Sequence, residues 1–386
     1  MNRYEEFKSL LQSGSCFKMI CGAGNEDPAY VKKLTLVYTL AGAKILDVSC
    51  NVNVIKHAMQ GIDLAFEMSE TLGVEIGTRP FIMASVGMPG DHHVRKSYID
   101  PNTCIGCDLC IPVCPTNAIP KGFTLNLPMF QELGGSFEEE DQSKEIVIKD
   151  LCIGCGKCSN ICPKDDIISY RHNARELEIL LPKCMDVGCE TFELHAAVGE
   201  DDVTLEEWKL INKINPDNYN SMCLDRLNLG NLNLEHRIEK ALDIAPDRVI
   251  IQADGYPMSG GENDFNTTMQ AVACADVINK KFNMRKDPKR KTIVGKASRS
   301  SKKSYRKLNN PRVVPIVLSG GTNSLSMALA EQCGVRCNGV AIGTFARDIV
   351  EEFIQREDFY ENADTIHSAY VVARNLVDKN KMKESL

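Results

Sequence analysis

The sequence lacks an apolar run long enough to cross a membrane. Its longest uncharged stretch, residues 313–330, is interrupted by Ser319-Gly-Gly-Thr-Asn-Ser324, whereas a transmembrane helix needs about 20 consecutive, mostly apolar residues. The first residues, Met1-Asn-Arg-Tyr-Glu-Glu6, have neither the charged-then-apolar order of a secretion signal nor the Arg- and Ser-rich composition of a transit peptide. We therefore expect a cytoplasmic protein, or one of the plastid stroma if a transit peptide has been removed.

An excess of positive charge is also missing. Lys and Arg number 45 against 52 Asp and Glu, which gives a net charge of −7 and argues against a general nucleic-acid binder. The 386 residues are 43% hydrophobic and 25% charged, which excludes wholesale disorder. This length suggests two or three domains, or one barrel with an insertion.

Cysteine, in contrast, is abundant. Seventeen cysteines are an odd number, and the chain is too long for a secreted disulfide scaffold. We therefore expect a reducing compartment and a metal-binding or redox use of the thiols.

Eight of these cysteines form a doubled motif. The run Cys104-Ile-Gly-Cys107-Asp-Leu-Cys110-Ile-Pro-Val-Cys114-Pro115 is repeated as Cys152-Ile-Gly-Cys155-Gly-Lys-Cys158-Ser-Asn-Ile-Cys162-Pro163. This C-x2-C-x2-C-x3-C-P spacing is typical of two-cluster bacterial ferredoxins, in which the fourth cysteine of each run binds the other cluster. Zinc also uses C-x2-C pairs, but it needs two pairs rather than two runs of four.

The doubled motif therefore predicts two [4Fe–4S] clusters. Cys104, Cys107, Cys110 and Cys162 are the predicted ligands of one cluster. Cys152, Cys155, Cys158 and Cys114 are the predicted ligands of the other.

Outside this segment, short apolar runs alternate with helical patterns. The eight predicted strands are 17–21, 44–49, 80–85, 191–197, 220–225, 248–254, 313–319 and 339–343. The predicted helices between and after them are 28–40, 54–72, 174–187, 205–214, 234–244, 267–282, 324–333 and 346–355. Eight βα units favour an α/β fold of the (β/α)8 TIM-barrel type; the alternative is an open doubly wound sheet.

The cysteine motifs interrupt this pattern after the third strand. We expect an inserted two-cluster, ferredoxin-like α+β domain at 97–172, between the first part of the barrel at 1–96 and the second part at 173–386. Loops that follow barrel strands lie on the active-site face. The clusters are therefore expected beside the barrel mouth.

Two charged segments stand out. Residues 121–145 contain an acidic run, which is either a solvated loop or a docking patch for a basic partner. Residues 280–312 hold fourteen Lys or Arg and one Asp. This basic insert is either a solvated excursion or a docking site for an acidic partner, such as a ferredoxin-type protein, RNA or anionic lipid.

Glycine-rich turns follow the last two strands. Barrels often bind phosphate with the loops after strands seven and eight, and ordinary βα turns are the alternative. The predicted phosphate-binding residues are Ser319, Gly320, Gly321, Gly343, Thr344 and Arg347.

Polar residues near strand ends are candidates for acid–base chemistry. Strand alternation places Glu193 with His195, Asp47 with Ser49, and Gln252 with Asp254 on shared faces, and Asp225 ends strand five. His195 is the first catalytic candidate because imidazole titrates near neutral pH; a buried histidine with an ordinary structural hydrogen bond is the alternative. Cys21 and Asp254 are the other catalytic candidates.

Cys21 and eight further cysteines lie outside the two motifs. A thiol–disulfide switch or an additional ligand is conceivable for Cys21 and Cys50, but small buried hydrophobes are the favoured interpretation of these nine.

The chain resembles the cyanobacterial light-dependent period modulator (LdpA) iron–sulfur family, which has plastid-lineage relatives. Besides the cysteine motifs, the resemblance rests on Phe17-Lys-Met-Ile-Cys-Gly-Ala-Gly-Asn25, Leu36-Val-Tyr-Thr-Leu-Ala-Gly42, Arg79-Pro-Phe-Ile-Met83 and Val317-Leu-Ser-Gly-Gly-Thr322. It implies a redox-sensing adaptor that reports the photosynthetic redox state to the circadian clock complex, with redox proteins and clock components as partners. The basic insert departs from this family.

The barrel shell is also similar to FMN-dependent TIM-barrel oxidoreductases. The similarity lies in Gly320-Gly321, Gly343-Thr344 and residues 180–196. Two hypotheses follow. The first is a two-[4Fe–4S] electron-transfer and redox-sensing protein. The alternative is an FMN-dependent oxidoreductase in which the clusters pass electrons to a flavin in the barrel.

Overall fold

The computed structural model of the chain describes residues 2–87, 95–120, 146–148, 151–152, 157–164, 167–172, 177–197, 201–256, 264–284 and 313–381. Ten strands lie in these ranges: β1 Cys16–Gly22, β2 Ile45–Ser49, β3 Phe81–Gly87, β4 Arg95–Ile99, β5 Ile168–His172, β6 Thr191–His195, β7 Asn220–Asp225, β8 Val249–Asp254, β9 Ile316–Ser319 and β10 Gly339–Ile342.

Eight of the strands form a closed parallel barrel in the order β1-β10-β9-β8-β7-β6-β3-β2. The predicted (β/α)8 barrel is therefore confirmed, and the open doubly wound sheet is excluded. Strands β4 and β5 form a separate antiparallel pair, and in the sequence they lie between the third and fourth barrel strands. The chain between them includes both cysteine motifs.

Most of the helices surround the barrel; the five-residue helix Lys157–Ile161 instead lies within the second cysteine motif. The helices are α1 Arg3–Gln12, α2 Pro28–Leu40, α3 Val52–Ser69, α4 Lys157–Ile161, α5 Leu177–Asp186, α6 Asp201–Ile214, α7 Arg226–Ile244, α8 Asp264–Ile278, α9 Ser326–Gln332, α10 Thr344–Asp348, α11 Glu351–Ile354 and α12 Ala363–Lys379. A π-helical turn, Asn279–Asn283, continues α8. Among the described residues, no helix is long and apolar enough to cross a membrane.

Side-chain caps define where several helices start. Asp27 accepts hydrogen bonds from the backbone N–H groups of Ala29 and Tyr30 at the start of α2. Asn51 and Asn362 cap α3 and α12 in the same way. Each cap satisfies N–H groups that have no partner within the helix. Asp27 and Asn51 therefore fix where the loops after β1 and β2 end.

Two features of the helices differ from the prediction. Helix α7 begins at Arg226 rather than at residue 234, with a break at Gly230, whose φ is 65°. Helices α1 and α12 were not predicted. In α1, Phe7 and Leu11 are buried against inward side chains of the barrel such as Phe81 and Tyr219. Helix α1 therefore closes the N-terminal end of the barrel.

Two main cores result from this architecture. The larger one lies between the outer face of the sheet and the surrounding helices. A smaller one fills the N-terminal half of the barrel interior beneath α1. The C-terminal half of the interior holds polar side chains, which places a candidate site at the end where barrel active sites lie.

Candidate functional site

The first candidate site is a pocket between the two cysteine motifs. Cys104, Cys107 and Cys110 of the first motif line it together with Cys162 at the end of the second. The other lining residues are Ile99, Ile105, Asp108, Ile167 and Ile168. The structure thus brings together the four cysteines predicted to share one cluster, although Cys162 is distant in sequence from the other three.

The first cysteine loop has the backbone conformation that such a pocket requires. Gly106 has φ 65° and Asp108 has φ 59°, both in the left-handed region that favours glycine. The chain therefore turns tightly between Cys104, Cys107 and Cys110, and the three sulfurs can face one centre.

The second predicted quartet is described in part. Cys152 and Cys158 are buried, and Cys114 packs against the same small apolar cluster, which includes Ile119 and Val147. The fourth predicted ligand, Cys155, lies outside the described residues, as do the acidic segment 121–145 and residues 285–312 of the basic insert. The second ligand set therefore remains a prediction.

Polar donors face the sulfurs of this second set. The N–H of Ser97 donates to the Cys152 sulfur at 3.3 Å, and the N–H of Ala118 donates to the Cys114 sulfur at 3.2 Å. The Ser97 hydroxyl lies 3.4 Å from the Cys158 sulfur. Hydrogen bonds of this kind stabilise negative charge on cluster sulfurs and tune the reduction potential.

The thiols fit iron–sulfur clusters in their electrostatics as well. Burial raises the pKa of Cys104 above its ordinary value and that of Cys110 to about 11, and neighbouring cysteines add to the effect. Thiolates are the metal-binding form of cysteine. Closely packed thiols with raised pKa values need a strong cationic centre to deprotonate them, and cluster iron supplies one.

The second candidate site is the polar interior of the barrel. The Lys18 ammonium contacts an Asp47 oxygen at 2.8 Å, the Gln252 side-chain oxygen at 2.7 Å and the Glu193 carboxylate. All four side chains are buried. Burial alone would lower the pKa of Lys18, but Asp47 and Glu193 outweigh it and raise that pKa above its ordinary value. Lys18 is therefore a buried, charged ammonium group.

Sequence alternation predicted three members of this network and missed the fourth. Asp47, Glu193 and Gln252 were placed on inward faces, as the structure shows, whereas Lys18 was not singled out. It lies in the apolar strand Cys16–Gly22. One feature of the sequence could have identified Lys18. It is a lysine at the middle of a predicted barrel strand, and other predicted barrel strands carry carboxylates at their middle.

Further polar residues lie toward the C-terminal end of the interior. His195 ends β6 with its Nε2 atom 3.6 Å from a Glu193 oxygen. Asp254 ends β8, and its pKa is raised to about 8, mainly by burial and then by the charge of Glu193, while His195 opposes the shift. The structure therefore brings the candidates His195 and Asp254 into one electrostatic environment. Their catalytic roles remain predictions.

The third catalytic candidate lies elsewhere. Cys21 is buried in the core between β1 and the helices, together with Phe17, Met19 and Tyr38. Strand alternation explains this position, because a β1 that points Lys18 inward points Cys21 outward. Burial raises the pKa of the Cys21 thiol well above its ordinary value. The structure thus separates Cys21 from the barrel mouth, contrary to the expectation.

The predicted phosphate-binding turns have structural explanations. Gly320 and Gly321 have φ values of 69° and 66°. A Cβ atom on Gly320 would lie 2.6 Å from the Gly255 carbonyl oxygen, and one on Gly321 would lie 2.2 Å from the Thr267 side chain. The two glycines are therefore required for close packing against Gly255, which follows β8, and against Thr267 in α8. The prediction had assigned them to phosphate binding.

The other predicted phosphate-binding residues also have structural roles within the chain. Arg347 donates to the Ile20 carbonyl at 2.9 Å and to the Thr344 hydroxyl at 3.1 Å. Gly343 and Thr344 begin only the five-residue helix α10. The Ser319 hydroxyl lies 3.3 Å from the Gln252 amide nitrogen. The geometry therefore gives no support to a phosphate clamp.

The remaining cysteines are mostly structural. Except for the exposed Cys333, the nine cysteines outside the motifs are buried, in line with the favoured interpretation. The sulfurs of Cys50 and Cys184 are 3.8 Å apart.

Comparisons with known proteins agree with the cysteine geometry. A family model described as "4Fe-4S double cluster binding domain" matches residues 103–165, and one described as "4Fe-4S dicluster domain" matches residues 144–190. Among curated proteins, the chain is 29% identical over 295 residues to "Light dependent period A" of Synechococcus elongatus. The alignment covers 69% of this chain and 68% of that protein.

Solved structures with a similar backbone include two enzymes. The YdjI aldolase from Escherichia coli K12 matches with a TM-score of 0.41 at 6% identity, covering 96% of this chain and 92% of the other. A truncated 3-deoxy-D-arabino-heptulosonate 7-phosphate synthase from Thermotoga maritima matches with a TM-score of 0.36 at 8% identity, covering 94% and 87%. Neither score carries an argument about function. The curated relative and the cluster domains confirm the resemblance predicted from the sequence: the chain carries 4Fe-4S cluster-binding domains and is similar to "Light dependent period A".

Proposed function

We propose that the chain is an electron-transfer and redox-sensing protein with two cross-ligated [4Fe–4S] clusters. The observation that carries this proposal is the pocket formed by Cys104, Cys107 and Cys110 with Cys162. Three cysteines of one motif and the last cysteine of the other are the ligand set of each cluster in a two-cluster ferredoxin. Both clusters then share the same short segments of chain.

The surface around this pocket supports exchange of electrons with another protein. Ile105 and Leu109, in the first cysteine loop, are about half exposed, and Cys107 is exposed beside them. Exposed apolar side chains of this kind are typical of interaction surfaces. We propose that a redox protein docks here and exchanges electrons with the cluster bound by Cys107.

The similarity to "Light dependent period A" suggests what the sensing is for. We propose that the clusters report photosynthetic or cellular redox state as an input of the circadian light-response type, with clock or photosynthetic electron-transfer components as partners. An acidic partner at the basic insert 280–312 belongs to the same proposal.

The ligand assignment can be tested by pairing variants from the two motifs. Cys107→Ser and Cys162→Ser should disturb the same cluster, so the reduced variants should give matching changes in electron paramagnetic resonance spectra and potentials. Cys337→Ser, which changes a buried cysteine far from both motifs in sequence, is the control and should leave both clusters intact. If Cys107→Ser and Cys162→Ser affected different clusters, the cross-ligation would be wrong.

A flavin-dependent oxidoreductase is the second candidate function. It is favoured by the placement of His195 and Asp254 at the C-terminal ends of the barrel strands β6 and β8, whereas the predicted phosphate clamp gives it no support. In that case His195 would orient or protonate a substrate. Stoichiometric FMN released by heat from anaerobically purified protein would support this function, and protein that remains flavin-free after incubation with FMN would exclude it.

A further inference from the structure

Three side chains of different chemistry converge in the C-terminal half of the barrel. The ligand atoms of Glu193, His195 and Cys223 all lie within 4.8 Å of one another. A carboxylate oxygen, an imidazole nitrogen and a sulfur are the three kinds of ligand that zinc uses in proteins. None of these residues belongs to the cysteine motifs.

The strand register fixes this convergence. His195 of β6 pairs directly with Cys223 of β7 in the parallel ladder. Glu193 precedes His195 by two residues and therefore points to the same face of the sheet. The three side chains are thus held by two adjacent strands of the barrel wall, which are rigid supports for a binding site.

Gln252 orients two of the three side chains. Its oxygen accepts a hydrogen bond from Lys18 at 2.7 Å, which directs its amide nitrogen toward the Cys223 sulfur at 2.8 Å and the Glu193 Oε1 atom at 3.1 Å. Lys18 binds the other Glu193 oxygen, Oε2. Glu193 therefore presents Oε1, the atom 3.6 Å from the His195 ring, to the centre of the cluster. Outer hydrogen bonds of this kind are typical of protein metal sites.

Asp254 is a second, independent indication of a ligand. Asp254 is buried, with 3% of the residue exposed, and its Oδ1 atom has no hydrogen-bond partner among the described residues. Asp254 follows Gln252 by two residues on β8 and therefore points to the same face of the sheet. Because Gln252 contacts Glu193 and Cys223, Asp254 lies beside the converging side chains. A buried carboxylate oxygen without a partner is costly, and a nearby cation or a water bound to that cation would satisfy it.

We propose that Glu193, His195 and Cys223 bind a divalent zinc ion in the barrel, separate from the iron–sulfur clusters. Three protein ligands leave one position of a tetrahedral ion for water or for an oxygen-bearing ligand. His195, which is 12% exposed, gives this position its access to solvent. Asp254 accepts a hydrogen bond from the water in that position. The barrel thus has its own metal centre, whether or not the clusters perform the proposed sensing.

The test uses the full chain, purified without oxygen and with its clusters reconstituted, then equilibrated with micromolar zinc. Elemental analysis should give about one zinc per chain in addition to about eight irons. X-ray absorption at the zinc edge should show one sulfur at about 2.3 Å together with nitrogen or oxygen at about 2.0–2.2 Å. A shell of sulfur alone would place the zinc in a cysteine motif and overturn the proposal, as would the absence of bound zinc.

Variants separate the two kinds of metal site. His195→Gln and Cys223→Ser should each lower zinc occupancy at least tenfold while the iron content stays unchanged. Cys337→Ser, at a buried cysteine outside the site, is the matched control and should retain zinc. Zinc that remained in both site variants would overturn the proposal. The absorption spectrum of the unmodified chain decides the matter even if a variant fails to fold.

Discussion

Lys18 is the residue whose environment departs most from the ordinary. A lysine is almost never fully buried unless it is paired, and here Asp47 and Glu193 flank the ammonium group while Gln252 accepts a hydrogen bond from it. Removing one partner of a buried charge pair leaves the other charges uncompensated. The structure therefore makes Lys18 essential for the stability of the barrel interior.

Replacing Lys18 with methionine should lower the free energy of unfolding by about 3–5 kcal/mol, because two buried carboxylates lose their counter-ion. Chemical denaturation followed by circular dichroism measures the change. Lys209→Met is the control: Lys209 forms an exposed salt bridge with Glu206, so its loss should cost less than about 1 kcal/mol. Adding Glu193→Gln to Lys18→Met should recover part of the loss. An equal, small effect of both lysine substitutions would contradict the ion network.

For individual residues, spacing along the chain predicted the candidate sites better than residue type did. The C-x2-C-x2-C-x3-C spacing predicted that Cys162 would join Cys104, Cys107 and Cys110, and the pocket contains these four. Strand alternation placed Glu193 and Gln252 inward. Neither rule identifies which inward residues contact one another across the barrel, so the pairing of Lys18 with Glu193 needed the closed sheet. Cys21 was wrongly expected near the barrel mouth because the prediction considered its position at the end of a strand and not the face of the sheet to which it points.

At the scale of elements, helix α1 acts as the base of the barrel. The Phe7 ring stacks on Phe81 at a centroid distance of 4.4 Å and meets Tyr219 edge-on at 5.6 Å. Arg3 of the same helix is bonded to Glu190 by two contacts of 2.6 and 2.8 Å. Helix α1 is therefore attached to the barrel by both apolar packing and an ion pair.

Phe7→Ala should lower the free energy of unfolding by about 3–5 kcal/mol, because it opens a cavity in a closed core. Phe66→Ala in α3 provides a matched control, since Phe66 is 37% exposed and its truncation should cost less than about 1 kcal/mol. Thermal and denaturant unfolding would give both values. A loss below about 1 kcal/mol for Phe7→Ala would show that α1 does not seal the barrel.

The β9–α9 turn allows backbone strain to be separated from packing. Gly321 and Gly73 have almost the same φ, 66° and 64°, but a Cβ atom on Gly73 would have no neighbour within 4 Å. Gly73→Ala should therefore cost only the left-handed backbone penalty, about 1–2 kcal/mol. Gly321→Ala should cost about 1–3 kcal/mol more, because its methyl group would overlap Thr267. Equal losses in unfolding free energy would mean that the turn is loosely packed.

Hydrophobic periodicity predicted the order of strands and helices. The helices that it missed have physical explanations. All eight predicted barrel strands are present, with ends shifted by up to three residues. Helix α1 escaped prediction because it buries only Phe7 and Leu11, too few apolar positions to show a clear helical period. The first turns of α7 were missed because Gly230, a poor helix residue, interrupts them.

At the scale of the whole molecule, the cysteine-bearing part has its own small core. Its buried cluster, which includes Ile99, Ile119, Ile146 and Val147, is separate from the two cores of the barrel. Of the nine buried residues in this small core, four are cysteine or alanine rather than large aliphatic residues. So small a core is expected to depend on its metal for stability.

Removing the iron anaerobically with a chelator should therefore unfold the cysteine-bearing part and leave the barrel folded. Hydrogen exchange followed by mass spectrometry should show rapid exchange in residues 95–120 and 157–172, while the barrel strands β7 and β8 stay protected. The physical reason is that paired, buried thiols with raised pKa values lose the cation that held them together. Loss of protection throughout β7 and β8 would show that the two parts fold as one unit.

The proposed function depends on two [4Fe–4S] clusters held between the cysteine motifs. Mössbauer spectroscopy of the full chain, reconstituted anaerobically with ⁵⁷Fe and combined with iron and sulfide analysis, tests it most directly. Two such clusters should give about eight irons per chain, all with the spectrum of [4Fe–4S] clusters. Fewer than about four irons, or a spectrum of isolated tetrathiolate iron, would contradict it.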